Sequence, residues 1–237
     1  MTTTLADTIA VINDRIAAAA RRSGREREAI TLVAAAKTVE SDRIVEAIAA
    51  GITTVGENYV QDARKKIETI GRRSTSWHFI GHLQKNKVKY AVDLFDMIQT
   101  VDSIELAREI DRRSRRPMDV LIEVNLGGEK TKSGVSCDEA VELAATVATL
   151  DNLTVRGLMS IPPPSDDPRQ SRPYFARLRE LLEEIKSTGH GGEEMTHLSM
   201  GMSRDFEIAI EEGATMVRLG TALFGKRIVG DRKAHAT

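Results

Sequence analysis

Three groups of residues in this 237-residue chain have the types and spacing to do chemistry. The first is Lys37, which ends the small apolar run Leu32-Val33-Ala34-Ala35-Ala36. An ammonium projecting past such walls is partly withdrawn from water, which favours the neutral amine and suits it to Schiff-base formation. The bland alternative is a strand-end lysine that simply reaches solvent. The second group is Ser199-Met200-Gly201-Met202-Ser203 with Gly220-Thr221-Ala222. Glycines let the backbone approach an anion, and hydroxyls and N–H groups donate to it, so these segments can cradle a phosphate. They also read as ordinary turns, with Ser203 as the N-cap of the next helix. The third is Arg218, two residues before Gly220 and therefore on the same strand face. A buried guanidinium there needs acceptors, from a bound anion or from a structural carboxylate.

Other candidates carry less. His78 and His82 are four apart, but on a strand that is roughly 13 Å at ~3.3 Å per residue, so they do not chelate one metal. No metal site is expected. Cys137 sits inside the capping box Ser136-Cys137-Asp138-Glu139 and reads as a helix-start residue. The basic clusters Arg64–Lys66, Lys85–Lys89 and Arg112–Arg116 read as solvated helix faces. Neither GxGxxG nor GxxxxGK[ST] occurs.

The elements that must position these groups alternate regularly. Leu5, Ile9, Ile12 and Ile16 mark an opening amphipathic helix that stops near Gly24. Apolar runs then predict strands at Thr31–Ala36, Ile52–Val55, Trp77–Ile80, Met97–Val101, Asp119–Asn125, Val155–Ile161, Thr196–Ser199 and Thr215–Leu219. Between them the periodicity predicts helices at Ser41–Ala50, Tyr59–Ile70, Gln84–Val92, Ile104–Arg113, 136–150, around Phe175–Ile185 and Ser203–Glu211. Eight strands alternating with helices imply an α/β protein with a parallel sheet. The expected fold is a single (β/α)8 TIM barrel over residues 1–237 with an extra N-terminal helix; a doubly wound open sheet is the alternative. The candidate residues then gather at the C-terminal ends of the strands, where barrels place their active sites. Five of the six prolines lie between Pro162 and Pro173, marking a stiff loop after strand six. Residues 226–237 form a polar tail with no functional reading.

With 34 Lys+Arg against 35 Asp+Glu the net charge is −1, which gives no reason to expect a nucleic-acid partner. The single cysteine excludes an internal disulfide and fits a reducing compartment. The opening segment MTTTLADTIAV lacks the pattern of a signal peptide, and no apolar run approaches the ~20 residues of a membrane span. A cytoplasmic monomer without membrane contact is expected.

The segments LVAAAKT, VGENYVQ, WHFIGHLQKNK, EVNLGGEKTKSG, GLMSIPP, HLSMGMSRDF and VRLGTALFG resemble, in that order, the YggS/PROSC proteins, the pyridoxal-phosphate (PLP) homeostasis family. The likeness runs from about Lys37 to Gly225. It implies the barrel of the alanine racemase N-terminal domain (PLP fold type III), with PLP held as a Schiff base on Lys37. It further implies that Ser199, Gly220 and Thr221, with the backbone near Gly201 and Met202, hold the phosphate. Arg218 would face the pyridine nitrogen and Asn58 would line the pocket. The implied role is intracellular PLP (vitamin B6) and amino-acid homeostasis without established turnover. The implied partners are PLP, free amino acids and PLP-dependent apoenzymes. His82 stands where some members carry proline, and Ser160 where alanine is common.

The alternative is a weak PLP-dependent amino-acid racemase. PLP delocalises a carbanion best when its pyridine nitrogen is protonated opposite an acid. Arginine can only donate, so Arg218 favours binding over catalysis. Racemisation also needs a second base on the other face of the cofactor. Alanine racemase supplies a tyrosine from a β-domain that this chain is too short to contain, and Tyr59, Tyr90 and Tyr174 fall on predicted helices or helix starts.

Overall fold

Eight short β-branched and apolar segments hydrogen-bond side by side, each parallel to its neighbour, and the last pairs with the first. The computed structural model describes residues 4–72, 75–129, 132–190 and 194–225. The strands are β1 (Thr31–Ala35), β2 (Thr54–Glu57), β3 (Ser76–Phe79), β4 (Met97–Val101), β5 (Met118–Glu123), β6 (Leu153–Met159), β7 (His197–Ser199) and β8 (Met216–Leu219). The closed barrel bears out the expected fold and removes the open sheet. The polar tail 226–237 lies outside the described residues.

The helices are α1 (Leu5–Arg22), α2 (Ser41–Ala49), α3 (Val60–Ile70), α4 (Val88–Leu94), α5 (Ile104–Arg113), α6 (Cys137–Val147), α7 (Arg172–Ser187), α8 (Phe206–Glu211) and the single turn α9 (Thr221–Phe224). Several boundaries differ from the periodicity, each for a local reason. Residues 85–87 form a 3-10 turn before α4, and Tyr59 is the N-cap of α3. Gly56 and Glu57 belong to β2, paired with His78 and Phe79. Ser203 does not cap α8, whose N-cap is Asp205; its hydroxyl instead accepts from Ala222 N–H in α9.

Among the described residues only one helical turn follows β8, so the outer ring has no full-length helix there. The chain's first helix takes that place. Helix α1 buries Leu5, Ile9, Ile12 and Ile16 and packs on α8, α9 and α2, across the β8–β1 seam. A Thr4–Asp7 capping box starts it, and Arg15–Glu207 and Arg22–Glu211 ion pairs join it to α8.

Outward strand faces feed the main core between sheet and helices, while Val33, Met97, Leu121, Met159 and Met216 form a separate cluster inside the barrel. Where β6 meets β7, Gly157 has φ 153° and a Cβ there would lie 1.8 Å from the His197 carbonyl oxygen. Gly157→Ala should therefore destabilise the protein by about 3 kcal/mol or more, since backbone, not a flexible side chain, would have to move. Urea denaturation checks this. A loss under about 1 kcal/mol would show that the backbone between β6 and β7 relaxes freely.

Candidate functional site

Because β1 pairs with β8, residues from the two ends of the chain meet at one seam of the barrel mouth. Lys37 lies two residues beyond β1, half-buried, in a turn closed by Val39 N–H donating to Ala36 O at 2.9 Å. The next residue, Thr38, has φ 65°, the one non-glycine positive φ among the described residues. Such strain persists only where the surroundings impose it. Here they do. Lys66 of α3 is 9% exposed and donates to both the Ala36 carbonyl (2.8 Å) and Glu57 Oε1 (2.6 Å). Of the basic cluster read as a solvated face, Arg64 does pair with Glu68 at the surface, but Lys66 turns inward to clamp this turn. Burial pushes the Glu57 carboxyl up and the Lys66 ammonium pulls it back down. The Lys37 ammonium sits 5.0 Å from the centre of the Tyr59 ring, a cation–π contact.

Across the seam, Arg218 is 4% exposed, with its side chain inside the barrel. It donates from Nη1 to Ser199 Oγ (2.7 Å) and from Nη2 to the Ser160 carbonyl (3.0 Å). Glu123 and Asp205 act on it at longer range, and no carboxylate lies within ion-pair distance among the described residues. Burial lowers its pKa to about 10, so it stays charged at neutral pH. Ser199 donates onward to Gln99 Oε1 at 2.7 Å. The Gln99 amide therefore presents Nε2 to His78 Nδ1 (2.9 Å), and that nitrogen must accept. Burial pushes His78 down to about 4, which keeps it neutral with its proton on Nε2. Arg218, Ser199, Gln99 and His78 thus form one directional chain through the barrel.

The remaining sequence candidates line the rim. Gly220 caps α9, Thr221 begins it exposed, and the Gly220 and Thr221 N–H groups have no acceptor among the described residues. Gly201 has φ 89°, and its carbonyl accepts from Arg218 N–H, which ties the two loops together. The Met202 N–H is committed to Asp205 Oδ1 at 2.7 Å, as the Ser199 hydroxyl proton is to Gln99. Asn58 backs onto Gly81, where a Cβ would come within 2.4 Å of the Asn58 carbonyl oxygen. Asn58 also borders a cavity of about 260 Å³ on the β2–β3–β5 side of the mouth. No cluster of three or more potential metal ligands occurs among the described residues, and no described helix is long and apolar enough to cross a membrane.

Residues 9–227 match the alanine racemase N-terminal domain family. A "Pyridoxal phosphate homeostasis protein" of Aquifex aeolicus is 46% identical over 217 residues, covering 90% of this chain and 94% of that protein. One from Escherichia coli K12 is 42% identical over 236 residues, covering 94% and 97%. The chain belongs to the pyridoxal phosphate homeostasis protein family. Among solved structures, PipY of Synechococcus elongatus with PLP bound superposes with TM-score 0.83 at 31% identity, covering 94% of this chain and 100% of that one. Alanine racemase of Corynebacterium glutamicum shares the fold, with TM-score 0.68 at 18% identity over 94% of this chain and 63% of that one.

For a member of the pyridoxal phosphate homeostasis protein family, the residue that sequence reasoning missed most plainly is Glu123. It ends β5 and is 8% exposed, with Oε2 sealed from water and without a partner among the described residues. Its strand alternation with inward-facing Leu121 was the available signal. Burial, reinforced by Asp102 and opposed by Arg218, pushes it from 4.5 up to about 7. An acid raised on folding is less stable in the folded state above its unfolded pKa, so its contribution to stability falls as pH rises from about 4.5 through about 7. Glu123→Gln should accordingly gain stability over the parent across that window, reaching about 3 kcal/mol by pH ~8. Urea unfolding of both proteins at several pH values checks this, and a difference independent of pH would contradict it.

Proposed function

We propose that this chain binds PLP at the mouth of the barrel, held as a Schiff base on Lys37, and serves PLP and amino-acid homeostasis. The observation that carries the reading is the meeting, at one seam, of a strained and clamped Lys37 turn with Arg218 and the Gly220–Thr221 turn. The donor set fits the cofactor. Lys37 is the primary amine an aldehyde requires, and the Gly220 and Thr221 N–H groups, without an acceptor among the described residues, suit a phosphate together with the Thr221 hydroxyl. When bound, PLP supplies an aldehyde that condenses with amines and a ring that can delocalise charge. Ser199 and the Met202 N–H reach a phosphate only by giving up Gln99 and Asp205, so they contribute less than Gly220 and Thr221 in this reading.

The chain's own residues favour retention over turnover. Arg218 remains a donor at neutral pH and leaves a facing pyridine nitrogen without a proton. Tyr59 packs against the Lys37 ammonium, and a tyrosine held on the lysine would be poorly placed to act as a second base on the opposite face of a bound cofactor. These features support a carrier or regulator over a racemase; in the same proposal it is cytoplasmic, with free amino acids and PLP-dependent apoenzymes as its partners.

Three experiments test the reading. Borohydride reduction after PLP loading, followed by peptide mapping, should leave a pyridoxyl group on Lys37; a label on another lysine alone would refute the assignment. Thr221→Ala should weaken PLP retention by about 1.5–3 kcal/mol, measured by equilibrium dialysis, while pyridoxal binds the parent far more weakly than PLP. Incubating the loaded protein with L-alanine in deuterated water should yield no D-alanine at a meaningful rate. Rapid racemisation abolished by Lys37→Ala would establish an enzyme instead.

A further inference from the structure

The cofactor reading leaves Glu123 without a task. Among the described residues neither carboxyl oxygen of Glu123 accepts a hydrogen bond, Oε2 being sealed from water, and Glu123 lines the 260 Å³ cavity together with Asn58, His82, Asn125, Lys132 and Ser133. A buried carboxyl without a partner is costly, and a cationic donor relieves that cost directly.

The charged groups around it do not supply the donor. Asp102, just beyond β4, is a second acid, itself pushed up by burial. His82, after β3, lies 3.4 Å from Asp102 and 3.1 Å from Ser133. Lys132, in the loop after β5, pairs with Glu129, and Arg218 of β8 is committed to Ser199 and Ser160. The end of β6 brings Met159 and Ser160, which carry no charge. Every described cation facing the cavity has a partner, and the Glu123 carboxyl has none among the described residues. A metal ion does not fit, since no third potential ligand joins the two acids among the described residues.

We propose that this cavity is a subsite for a small free amino acid, whose α-ammonium is received by Glu123. Asn58, Asn125 and Ser133 offer neutral polar groups to the rest of such a ligand. The inference deepens the PLP reading and takes its purpose from it. Asn58 borders the cavity and its chain neighbour Tyr59 carries the Lys37 ammonium, so an amine docked here stands on the side of the lysine proposed to hold an aldehyde. Because the acceptor is the ionised carboxylate, docking should strengthen as pH rises through about 7.

The test is a carbon-13 NMR titration of the full-length protein labelled at its glutamate carboxyls. It is run cofactor-free and again after PLP loading and borohydride reduction, which leaves no reactive aldehyde. The Glu123 signal is assigned by its loss in Glu123→Gln. L-alanine should lower its titration midpoint by about one pH unit or more, a tenfold change in proton affinity. Ethylamine should act in the same direction but less, and propionate, which lacks the ammonium, not at all. A midpoint unmoved by the highest soluble L-alanine concentration overturns the proposal, as does an equal effect of propionate or a response to ethylamine alone. If PLP fails to label Lys37 while the cofactor-free protein still responds to L-alanine, the PLP reading falls and the subsite stands. If Lys37 is labelled and Glu123 does not respond, the subsite falls and the PLP reading stands.

Discussion

Hydrogen bonding between β1 and β8 is the constraint on which the rest depends. Those strands hold Thr31↔Met216 to Ala34↔Leu219 in register, and that pairing sets the end of β1 that leads to Lys37 against the end of β8 that leads to Gly220 and Thr221. Nearly the whole chain must be folded into the loop between them. The entropy of closing so long a loop grows only logarithmically with its length, so a short parallel ladder backed by buried apolar helix faces can hold it. The clamp formed by Lys66, Ala36 and Glu57 then sets the Lys37 turn from the neighbouring strand and helix, not from β1 itself.

The barrel interior divides into two electrostatic regimes. On one side, Arg218, Ser199, Gln99 and His78 pass hydrogen bonds in a fixed direction, and each buried donor finds an acceptor. That satisfaction makes a fully buried guanidinium tolerable and fixes the amide and imidazole orientations without any titration near neutrality. On the other side, Glu123 and Asp102 are two acids raised by the same low-dielectric surroundings, and Glu123 lacks a partner. A satisfied network is rigid, whereas an unsatisfied carboxyl beside a cavity is poised to respond to what enters.

Much of this was legible in the residue order. Apolar runs such as Leu32–Ala36 and Val120–Ile122, separated by helical periodicity, are enough to place eight parallel strands, and strand-end position alone singled out Lys37 and Arg218. What was not legible depends on contacts between distant segments. Ser199 meets Gln99 a hundred positions away, so its hydroxyl looked available to an anion when read from its own loop. Lys66 looked like one more surface base, because the acid that draws it inward lies on β2. Glu123 was hidden inside a strand recognised by its apolar residues, Val120, Leu121, Ile122 and Val124. Ser203 carried a true capping signal, but the recipient was α9 after β8, not the helix next in sequence.

The placement of α1 over the β8–β1 seam has a consequence for how the chain is made. The helix is synthesised before all eight strands, yet two of the surfaces it buries against, α8 and α9, follow β7 and β8. Until then Leu5, Ile9, Ile12 and Ile16 form an apolar stripe that only part of its final surroundings, among them α2, can cover. The first strand waits likewise, with one edge unpaired until β8 arrives. The barrel of a nascent chain therefore closes only after β8 has been made, and the apolar stripe of α1 lacks the cover of α8 and α9 until then.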